Sequence, residues 1–126
     1  MVKTRREITA LTRRYVAALE ARGIPVERVI LFGSYASGRA HAWSDIDLAV
    51  ISPQFETMSL LERYEQLGLA NRDLQAPVQV IGFAPSQVAT CEPESFLADI
   101  LSTGIEVPVH PHEATLHERA KRTQTD

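Results

Sequence analysis

Residues 29–51 carry the most informative pattern in this chain, VILFGSYASGRAHAWSDIDLAVI. An apolar segment runs directly into Gly33 and Ser34, and after ten further residues Asp45 and Asp47 open a second apolar segment. Short apolar runs bounded by turn-forming residues are typical of buried strands. The stretch therefore predicts two strands joined by a turn and a loop, with two carboxylates at the start of the second strand.

The hydrophobic pattern on both sides of this stretch predicts further helices and strands. The predicted helices are 3–22, 57–74 and 95–103, with a helical turn at 34–38, and the predicted strands are 26–32, 45–52, 77–83 and 105–109. The loop between the first two strands is too short for the crossover helix that a parallel pair needs. We therefore expect an α+β fold with a small mixed β-sheet flanked by helices.

Each predicted helix carries apolar residues that we expect to face the core. They are Ile8, Leu11, Tyr15 and Leu19 in the first helix, Leu60, Leu61, Tyr64 and Leu67 in the second, and Phe96, Leu97, Ile100 and Leu101 in the third. Residues 1–110 are expected to form one domain, and residues 111–126 a polar C-terminal tail or solvated helix, because Leu116 is the only large apolar residue there.

Composition limits the possible classes of protein. The 126 residues include 44% hydrophobic residues and carry a net charge of -3, which suits a globular domain and gives no overall basic field for nucleic acid. Cys91 is the only cysteine, so a disulfide framework and a site of several thiols are excluded. No apolar segment resembles a signal peptide or approaches the ~18 residues of a membrane span. We expect a cytoplasmic protein that does not enter a membrane.

The N-terminal helix is rich in basic residues, namely Lys3, Arg5, Arg6, Arg13 and Arg14. A solvated helix face is the simpler interpretation of this cluster. Docking to an acidic partner is the alternative.

The Gly33-Ser34 turn and the two aspartates point to phosphate and metal chemistry. Glycine lets the backbone approach a ligand closely, and the free N–H groups of a helical turn favour an anion. Asp45 and Asp47 lie on one face of the predicted strand, where two carboxylates repel each other unless they are solvated or share a cation. Oxygen ligands of this kind suit Mg²⁺. The alternative is an ordinary turn followed by two solvated acids at an exposed strand start.

With these residues in place, the chain resembles the minimal nucleotidyltransferases of the DNA polymerase β superfamily, small domains paired in prokaryotes with HEPN proteins. Their signature is Gly-Ser, a spacer of about ten residues, and Asp-x-Asp. Gly33-Ser34 and Asp45-Ile46-Asp47 match it, and the segments VIGF at 80–83 and ILSTGIEV at 100–107 also agree. The resemblance extends over residues 5–108 and implies the polymerase β-like nucleotidyltransferase fold.

The resemblance also implies a mechanism. Gly33 and Ser34 would hold the β- and γ-phosphates of a nucleoside triphosphate. Asp45 and Asp47 would bind two Mg²⁺ ions that assist an in-line displacement at the α-phosphate, with pyrophosphate leaving. ATP is the expected nucleotide substrate.

Gln79 departs from the family pattern, which has a third carboxylate at this position. Its amide oxygen could still act as a weak ligand, but it carries no charge and cannot accept a proton at neutral pH. Gln79 is the only polar side chain from Val78 to Phe83, and we expect it to face the cleft because a buried polar group needs a partner. Two interpretations stay open: transfer with two aspartates, or a domain that binds without turnover.

Several other residues are weaker candidates. Arg39 and His41 lie in the spacer, where contact with phosphate competes with the simpler interpretation of solvated loop residues. For Trp43, packing under the loop is favoured over stacking on a base, and Tyr35 is expected to be a packing residue. The tail carries possible metal ligands, although its histidines lack the i,i+4 spacing of a helix and a prolyl residue interrupts the segment. These are His110, His112, Glu113, His117 and Glu118.

The function implied by the resemblance is transfer of AMP from MgATP to a hydroxyl of a partner protein, with this chain as the antitoxin of a HEPN toxin. The alternative class is a degenerate module that neutralises its partner by binding alone. A nucleic-acid polymerising activity is a third option, which the acidic balance counts against. The oligomeric state, the base preference and the acceptor are left undetermined by the sequence.

Overall fold

The computed structural model describes residues 2–110. The helices are α1 (Arg5–Ala21), α2 (Ser34–Ser37), α3 (Leu60–Leu74), α4 (Pro85–Ala89) and α5 (Phe96–Thr103), and the strands are β1 (Arg28–Phe32), β2 (Ile46–Ile51), β3 (Val78–Phe83) and β4 (Ile105–Val107). All the elements predicted within this range are present. A 3₁₀ turn at Pro53–Thr57 and the short helix α4 were not predicted. The predicted C-terminal tail or helix lies outside the described residues.

The four strands form one mixed sheet in the order β3-β2-β1-β4. β1 is antiparallel to both β2 and β4, and β2 is parallel to β3. The antiparallel β1–β2 pair follows from the short connection between them, and the parallel β2–β3 pair follows from the crossover through α3. This arrangement confirms the prediction of an α+β fold with a small mixed sheet.

Helices cover both faces of the sheet. On one face, α1 and α3 pack over the central strands, and the phenolic hydroxyl of Tyr15 in α1 donates a hydrogen bond of 2.7 Å to the carbonyl of Leu67 in α3. On the other face, Ile100 of α5 packs against Ile30 and Ile51. The central strands are therefore buried on both sides, as their continuous apolar sequences predict.

Side-chain caps fix the starts of the two long helices. Thr4 accepts a hydrogen bond from the N–H of Glu7 and Glu7 accepts one from the N–H of Thr4, and the same reciprocal pair joins Ser59 and Glu62. These capping boxes satisfy N–H groups that have no partner inside the helix. They lower the pKa of Glu7 and of Glu62, because the hydrogen bonds favour the charged carboxylate. No helix within residues 2–110 has the length and apolar character needed to cross a bilayer.

The predicted core-facing stripe of α3 is wrong. Leu60, Leu61 and Tyr64 are exposed, whereas Leu67 is buried as expected. The buried stripe of α3 is Arg63, Leu67 and Ala70, because α3 packs against α1 and the edge strand β3. Spacing among apolar residues alone could not reveal that an arginine faces inward.

Phe96 in α5 is also exposed, contrary to expectation, because it lies at the first position of the helix beyond the edge of the core. Leu97 and Ile100 are buried and Leu101 packs against the smaller cluster, as predicted. The expected core residues of α1 are confirmed, with Leu11 partly buried and the others buried.

Candidate active site

The candidate site lies where β1 ends and β2 begins. Phe32, the last residue of β1, is paired with Asp47 of β2, and Asp47 is paired on its other side with Gln79 of β3. Gly33 directly follows Phe32 and therefore also lies beside Asp47. The sheet register thus brings together the turn, the aspartates and Gln79, which are far apart in sequence.

Gly33 and Asp47 are in such close contact that only glycine fits the turn. The φ angle of Gly33 is 74° and its ψ angle is -152°, a combination that side-chain-bearing residues essentially do not adopt. A Cβ atom at Gly33 would overlap Oδ2 of Asp47 and would lie 3.1 Å from its Cγ. The backbone of the turn is therefore held directly against the carboxylate.

Ser34 begins the four-residue helix α2 at this turn. The carbonyl of Gly33 accepts hydrogen bonds of 3.1 Å from the N–H groups of Ala36 and Ser37. The first N–H groups of a helix have no acceptor inside it. Together with the half-buried hydroxyl of Ser34, they offer donors to an anion placed next to Asp47.

The two aspartates differ in their surroundings. Asp45 is exposed just before β2, and Asp47 is half-buried in it. Partial burial raises the pKa of Asp47, and repulsion from the Asp45 carboxylate raises it further. Both effects oppose a second negative charge at this position. A bound cation would relieve both, which is the behaviour expected of a pair of metal ligands.

Gln79 lies next to the aspartates, as predicted. Its amide nitrogen donates a hydrogen bond of 2.9 Å to Oδ2 of Asp45. Within residues 2–110, no group of three His, Cys, Asp or Glu side chains is arranged to hold a metal ion. The oxygen donors present are the two carboxylates, which are hard ligands of the kind that Mg²⁺ prefers. The amide oxygen of Gln79 could join them only after rotation of the amide, since its nitrogen faces Asp45.

The spacer between α2 and β2 is a tight, exposed loop. The N–H of His41 donates to the Ser44 hydroxyl at 2.9 Å, and the N–H of Ser44 donates to the carbonyl of His41 at 3.0 Å. Arg39 and His41 are both exposed. Their side chains are thus free to reach a phosphate, and the solvated-loop interpretation fits equally well.

The two aromatic residues near the site behave differently. Tyr35 packs against the core as predicted, and its hydroxyl oxygen accepts a hydrogen bond of 3.2 Å from the N–H of Lys3. The packing prediction for Trp43 is wrong, because 89% of this residue is exposed. The short turn around His41 projects it from the surface, so no core surface is available to it.

His110, the one described residue among the tail candidates, has a structural contact. Its Nε2 lies 2.9 Å from the carbonyl oxygen of Val26. The others (His112, Glu113, His117 and Glu118) lie outside the described residues.

One feature next to the site was not predicted from the sequence. Phe32 packs edge-to-face against Phe96, with ring centroids 5.7 Å apart, on the side of the sheet that carries α5. The position of Phe32 at a strand end, directly before Gly33, was the only signal that it borders the site. Phe96 reaches this place through the tertiary fold.

Comparison with known proteins agrees with this geometry. The model of the family "Nucleotidyltransferase domain" matches residues 12–110. No curated protein matches the chain significantly. Among solved structures, a Sulfolobus solfataricus protein assigned as a nucleotidyltransferase is 18% identical, with a TM-score of 0.59 over 81% of this chain and 80% of its own.

Two toxin–antitoxin structures are also similar. A toxin–antitoxin with AMP-PNP is 22% identical, with a TM-score of 0.51 over 90% of this chain and 94% of its own. A complex of a tri-AMPylated Shewanella oneidensis HEPN toxin with an MNT antitoxin is 19% identical, with a TM-score of 0.48 over 93% and 94%. The first two similarities support the fold, and the family match covers most of the sequence. This chain belongs to the nucleotidyltransferase domain family.

Proposed function

We propose that this chain transfers AMP from MgATP to a hydroxyl group of a partner protein, and that it acts as the antitoxin of a HEPN toxin in the cytoplasm. Residues 1–110 would be the nucleotidyltransferase domain, and residues 111–126 a separate polar segment. The observation that carries the proposal is the contact between Gly33 and Asp47, which sets a glycine turn against a pair of carboxylates.

The residues of the site have distinct roles in this proposal. The N–H groups after Gly33 and the Ser34 hydroxyl would bind the β- and γ-phosphates, and Arg39 would reach them from the loop. Asp45 and Asp47 would hold Mg²⁺, and two ions are expected. When bound, the ions would neutralise negative charge at the triphosphate. The acceptor hydroxyl would be oriented in line with the α-phosphate, so that pyrophosphate is the leaving group.

A protein acceptor is favoured by the resemblance to minimal nucleotidyltransferases. Residues 2–110 form one sheet with its covering helices. The toxin–antitoxin relative has AMP-PNP, an ATP analogue, in its crystals. Together with the resemblance to minimal nucleotidyltransferases, this favours ATP as the nucleotide and a HEPN-domain protein as the partner.

Gln79 supports a second candidate function. Its amide donates a hydrogen bond to Asp45 and replaces the third carboxylate of the family pattern. A chain that lacks this carboxylate could bind nucleotide and partner without turnover, and would then neutralise the toxin by occlusion alone. The intact aspartate pair favours metal binding in both cases, so metal binding does not separate the two functions.

Transfer of label separates the two functions. The purified chain would be mixed with Mg²⁺, α-labelled ATP and the protein encoded beside it, which the proposal expects to be a HEPN-domain protein. Three proteins would be compared: wild type, the double variant Asp45→Ala/Asp47→Ala, and Gln79→Glu. We expect label on the partner with wild type and none with the double variant.

The remaining outcomes assign the second function. Label from Gln79→Glu but not from wild type would mean that Gln79 has switched the transfer off. An absence of label from every variant, despite tight binding of the partner, would refute the transferase and leave occlusion.

A further inference from the structure

An apolar groove runs along the outer edge of the sheet, between α3 and α5. Its cavity volume is about 350 Å³, and β3 forms its floor. Leu60 and Tyr64 of α3 form one wall, Phe96 of α5 forms the other, and Ile81 and Phe83 contribute from β3. Because β3 is the edge strand, no further strand of the sheet covers this groove within residues 2–110.

The walls of the groove hold an unusual share of the exposed apolar surface. Among residues 2–110, six large hydrophobic side chains are exposed, and three of them line the groove. The exposed fractions are 63% for Leu60, 55% for Tyr64 and 56% for Phe96. Exposed apolar side chains gathered around a cavity mark an interaction site, whereas scattered ones do not.

The groove lies close to the candidate active site. Gln79 and Ile81 are alternate residues of β3, so their side chains lie on the same face of the sheet, roughly 7 Å apart along the strand. Gln79 contacts Asp45, while Ile81 lines the groove. On the opposite wall, Phe96 contacts Phe32, which is paired with Asp47. A segment lying in the groove would therefore end beside the two carboxylates.

The charges around the groove define the chemistry of its occupant. Four exposed acidic residues adjoin the two walls in the sequence, namely Glu62, Glu65, Glu92 and Glu94, and residues 45–103 contain only two basic residues. One of the two basic residues, Arg63, is buried and bonded to carbonyl and amide oxygens, which leaves Arg72 as the exposed one. The acidic surroundings are complementary to lysine and arginine and repel an acidic segment.

The basic helix α1 of a second copy would fit the groove poorly. The basic residues of the chain are concentrated in residues 2–44, with Arg5, Arg6, Arg13 and Arg14 on α1. The exposed face of α1 carries only charged residues and alanines, since its large apolar side chains are buried or partly buried. It offers charge but no apolar side chain to fill the cavity.

We propose that this groove is the docking surface for the acceptor protein, and that it receives an apolar segment flanked by lysine or arginine. The segment enters between Leu60 and Phe96 and extends along β3 toward Gln79. Its position beside Asp45 and Asp47 delivers the acceptor hydroxyl to the site. The proposal rests on the proposed function in one respect, namely that the partner is a protein.

The test uses biolayer interferometry to measure binding of the protein encoded beside this chain, the expected HEPN-domain partner. Leu60→Lys and Phe96→Lys place a charge on each wall of the groove. Leu61→Lys is the matched control, because Leu61 lies on the same helix and is 69% exposed but does not line the groove. We expect Leu60→Lys and Phe96→Lys to weaken binding about tenfold or more, and Leu61→Lys to change it by less than about twofold.

Two further measurements accompany the binding data. Raising the NaCl concentration should weaken binding of the wild type, because the charges around the groove are exposed and screened by salt. Thermal unfolding of each variant should match that of the wild type, since the substituted side chains are already exposed.

Four results of the binding and oligomerisation measurements would overturn the proposal: no binding of the partner by the wild type, wild-type affinity in both groove variants, an equal loss in Leu61→Lys, or a wild-type dimer that Leu60→Lys converts to a monomer. The dimer result would assign the groove to a second copy. Failure of the transferase proposal is distinguishable, because it would appear as groove-dependent binding without label transfer. Label transfer that Leu60→Lys and Phe96→Lys leave unchanged would refute the docking proposal alone.

Discussion

The side-chain amide of Gln79 donates a hydrogen bond to Oδ2 of Asp45, with 2.9 Å between nitrogen and oxygen, across the parallel pair formed by β2 and β3. A carboxylate at position 79 would add a third negative charge to a site that already contains two. The amide instead offers a donor, and it holds Asp45 without a cation. Gln79 thus stabilises the metal-free site, but the site lacks the charged metal ligand that a carboxylate at position 79 would provide.

Gln79→Glu should therefore make the stability of the protein more dependent on magnesium. The variant loses the amide donor and adds a repelling carboxylate, so without metal the free energy of unfolding should fall by about 0.5–1 kcal/mol, a modest amount because both groups are exposed. Saturating MgCl₂ should raise the melting temperature of the variant more than that of the wild type. Thermal unfolding in EDTA and in MgCl₂ gives both values. Gln79→Ala, which adds no charge, is the control, and an equal magnesium response in all three proteins would contradict the argument.

Asp47→Asn should stabilise the metal-free protein at neutral pH while it removes a ligand. Partial burial and the neighbouring Asp45 raise the pKa of Asp47, so its charged form is less favourable in the folded state than in the unfolded state. Removing the charge should add up to about 1 kcal/mol to the free energy of unfolding, with solvent screening of the half-buried site reducing this value.

The pH dependence provides the control for Asp47→Asn. In the wild type, Asp47 becomes protonated as pH falls through its raised pKa. The difference in free energy of unfolding between Asp47→Asn and the wild type should therefore shrink, and it should disappear below the ordinary pKa of 3.8. Urea unfolding at a series of pH values measures it. A difference that stays constant with pH would mean that the substitution acts through packing instead.

Gly33→Ala should damage the site more than the equivalent change at a second glycine. Gly33 and Gly38 both have positive φ angles, 74° and 77°, but a Cβ at Gly33 would overlap the Asp47 carboxylate, whereas at Gly38 it would meet no atom within 4 Å. Gly38→Ala should cost about 1 kcal/mol of stability from backbone strain alone. Gly33→Ala should cost about 2–3 kcal/mol, because its backbone conformation excludes side chains and the carboxylate must move.

The effect on ligand binding distinguishes the two glycines further. MgATP affinity, measured by isothermal titration calorimetry, should fall at least about tenfold in Gly33→Ala and remain within about twofold in Gly38→Ala. Comparable losses of MgATP affinity in both variants would show that binding does not depend on the contact between Gly33 and Asp47.

The sequence allowed prediction of the sheet and of the residues that meet at its edge, because these depend on local patterns. Alternation predicted that Asp45 and Asp47 lie on one face of the strand expected at 45–52, and the short spacer implied an antiparallel pairing of the first two strands. The orientation of α3 could not be predicted in the same way. Leu60, Leu61 and Tyr64 form a convincing apolar stripe, yet the helix turns Arg63 inward, since acceptors for its guanidinium come from three other segments.

The exposure of apolar side chains around the site could not be predicted from local sequence patterns either. An apolar residue is normally assigned to the core, but Trp43 and Phe96 lie on the surface because of how the loop and α5 sit against the sheet. Their exposure becomes apparent only once the tertiary fold is known. The roles of Gly33, Ser34, Arg39, Asp45 and Asp47 remain predictions, and the variants at Gly33, Asp45 and Asp47 test three of them.

Arg63→Met should be the most destabilising of the substitutions considered, although Arg63 lies in a helix whose neighbouring large side chains are exposed. Its guanidinium donates to the carbonyls of Phe55 and Gly82 at 2.8 and 3.3 Å and to the amide oxygen of Gln87 at 2.7 Å, and it lies 5.6 Å from the centre of the Phe55 ring. Methionine fills a similar volume but removes all three charge-assisted bonds, although the Gln87 and Phe55 oxygens keep donors in the N–H groups of Ala84 and Met58. We expect the free energy of unfolding to fall by about 3 kcal/mol.

The control for Arg63→Met is Arg72→Met, in the exposed last turn of the same helix, which should change the free energy of unfolding by less than about 0.5 kcal/mol. Urea unfolding measures both. Arg63→Lys should recover only part of the loss, because a single ammonium cannot reproduce the planar set of donors. Equal effects of Arg63→Met and Arg72→Met would mean that the buried bonds contribute little. The expected result would instead show that Arg63 fixes α3 to β3 and α4, and thereby holds one wall of the apolar groove in place.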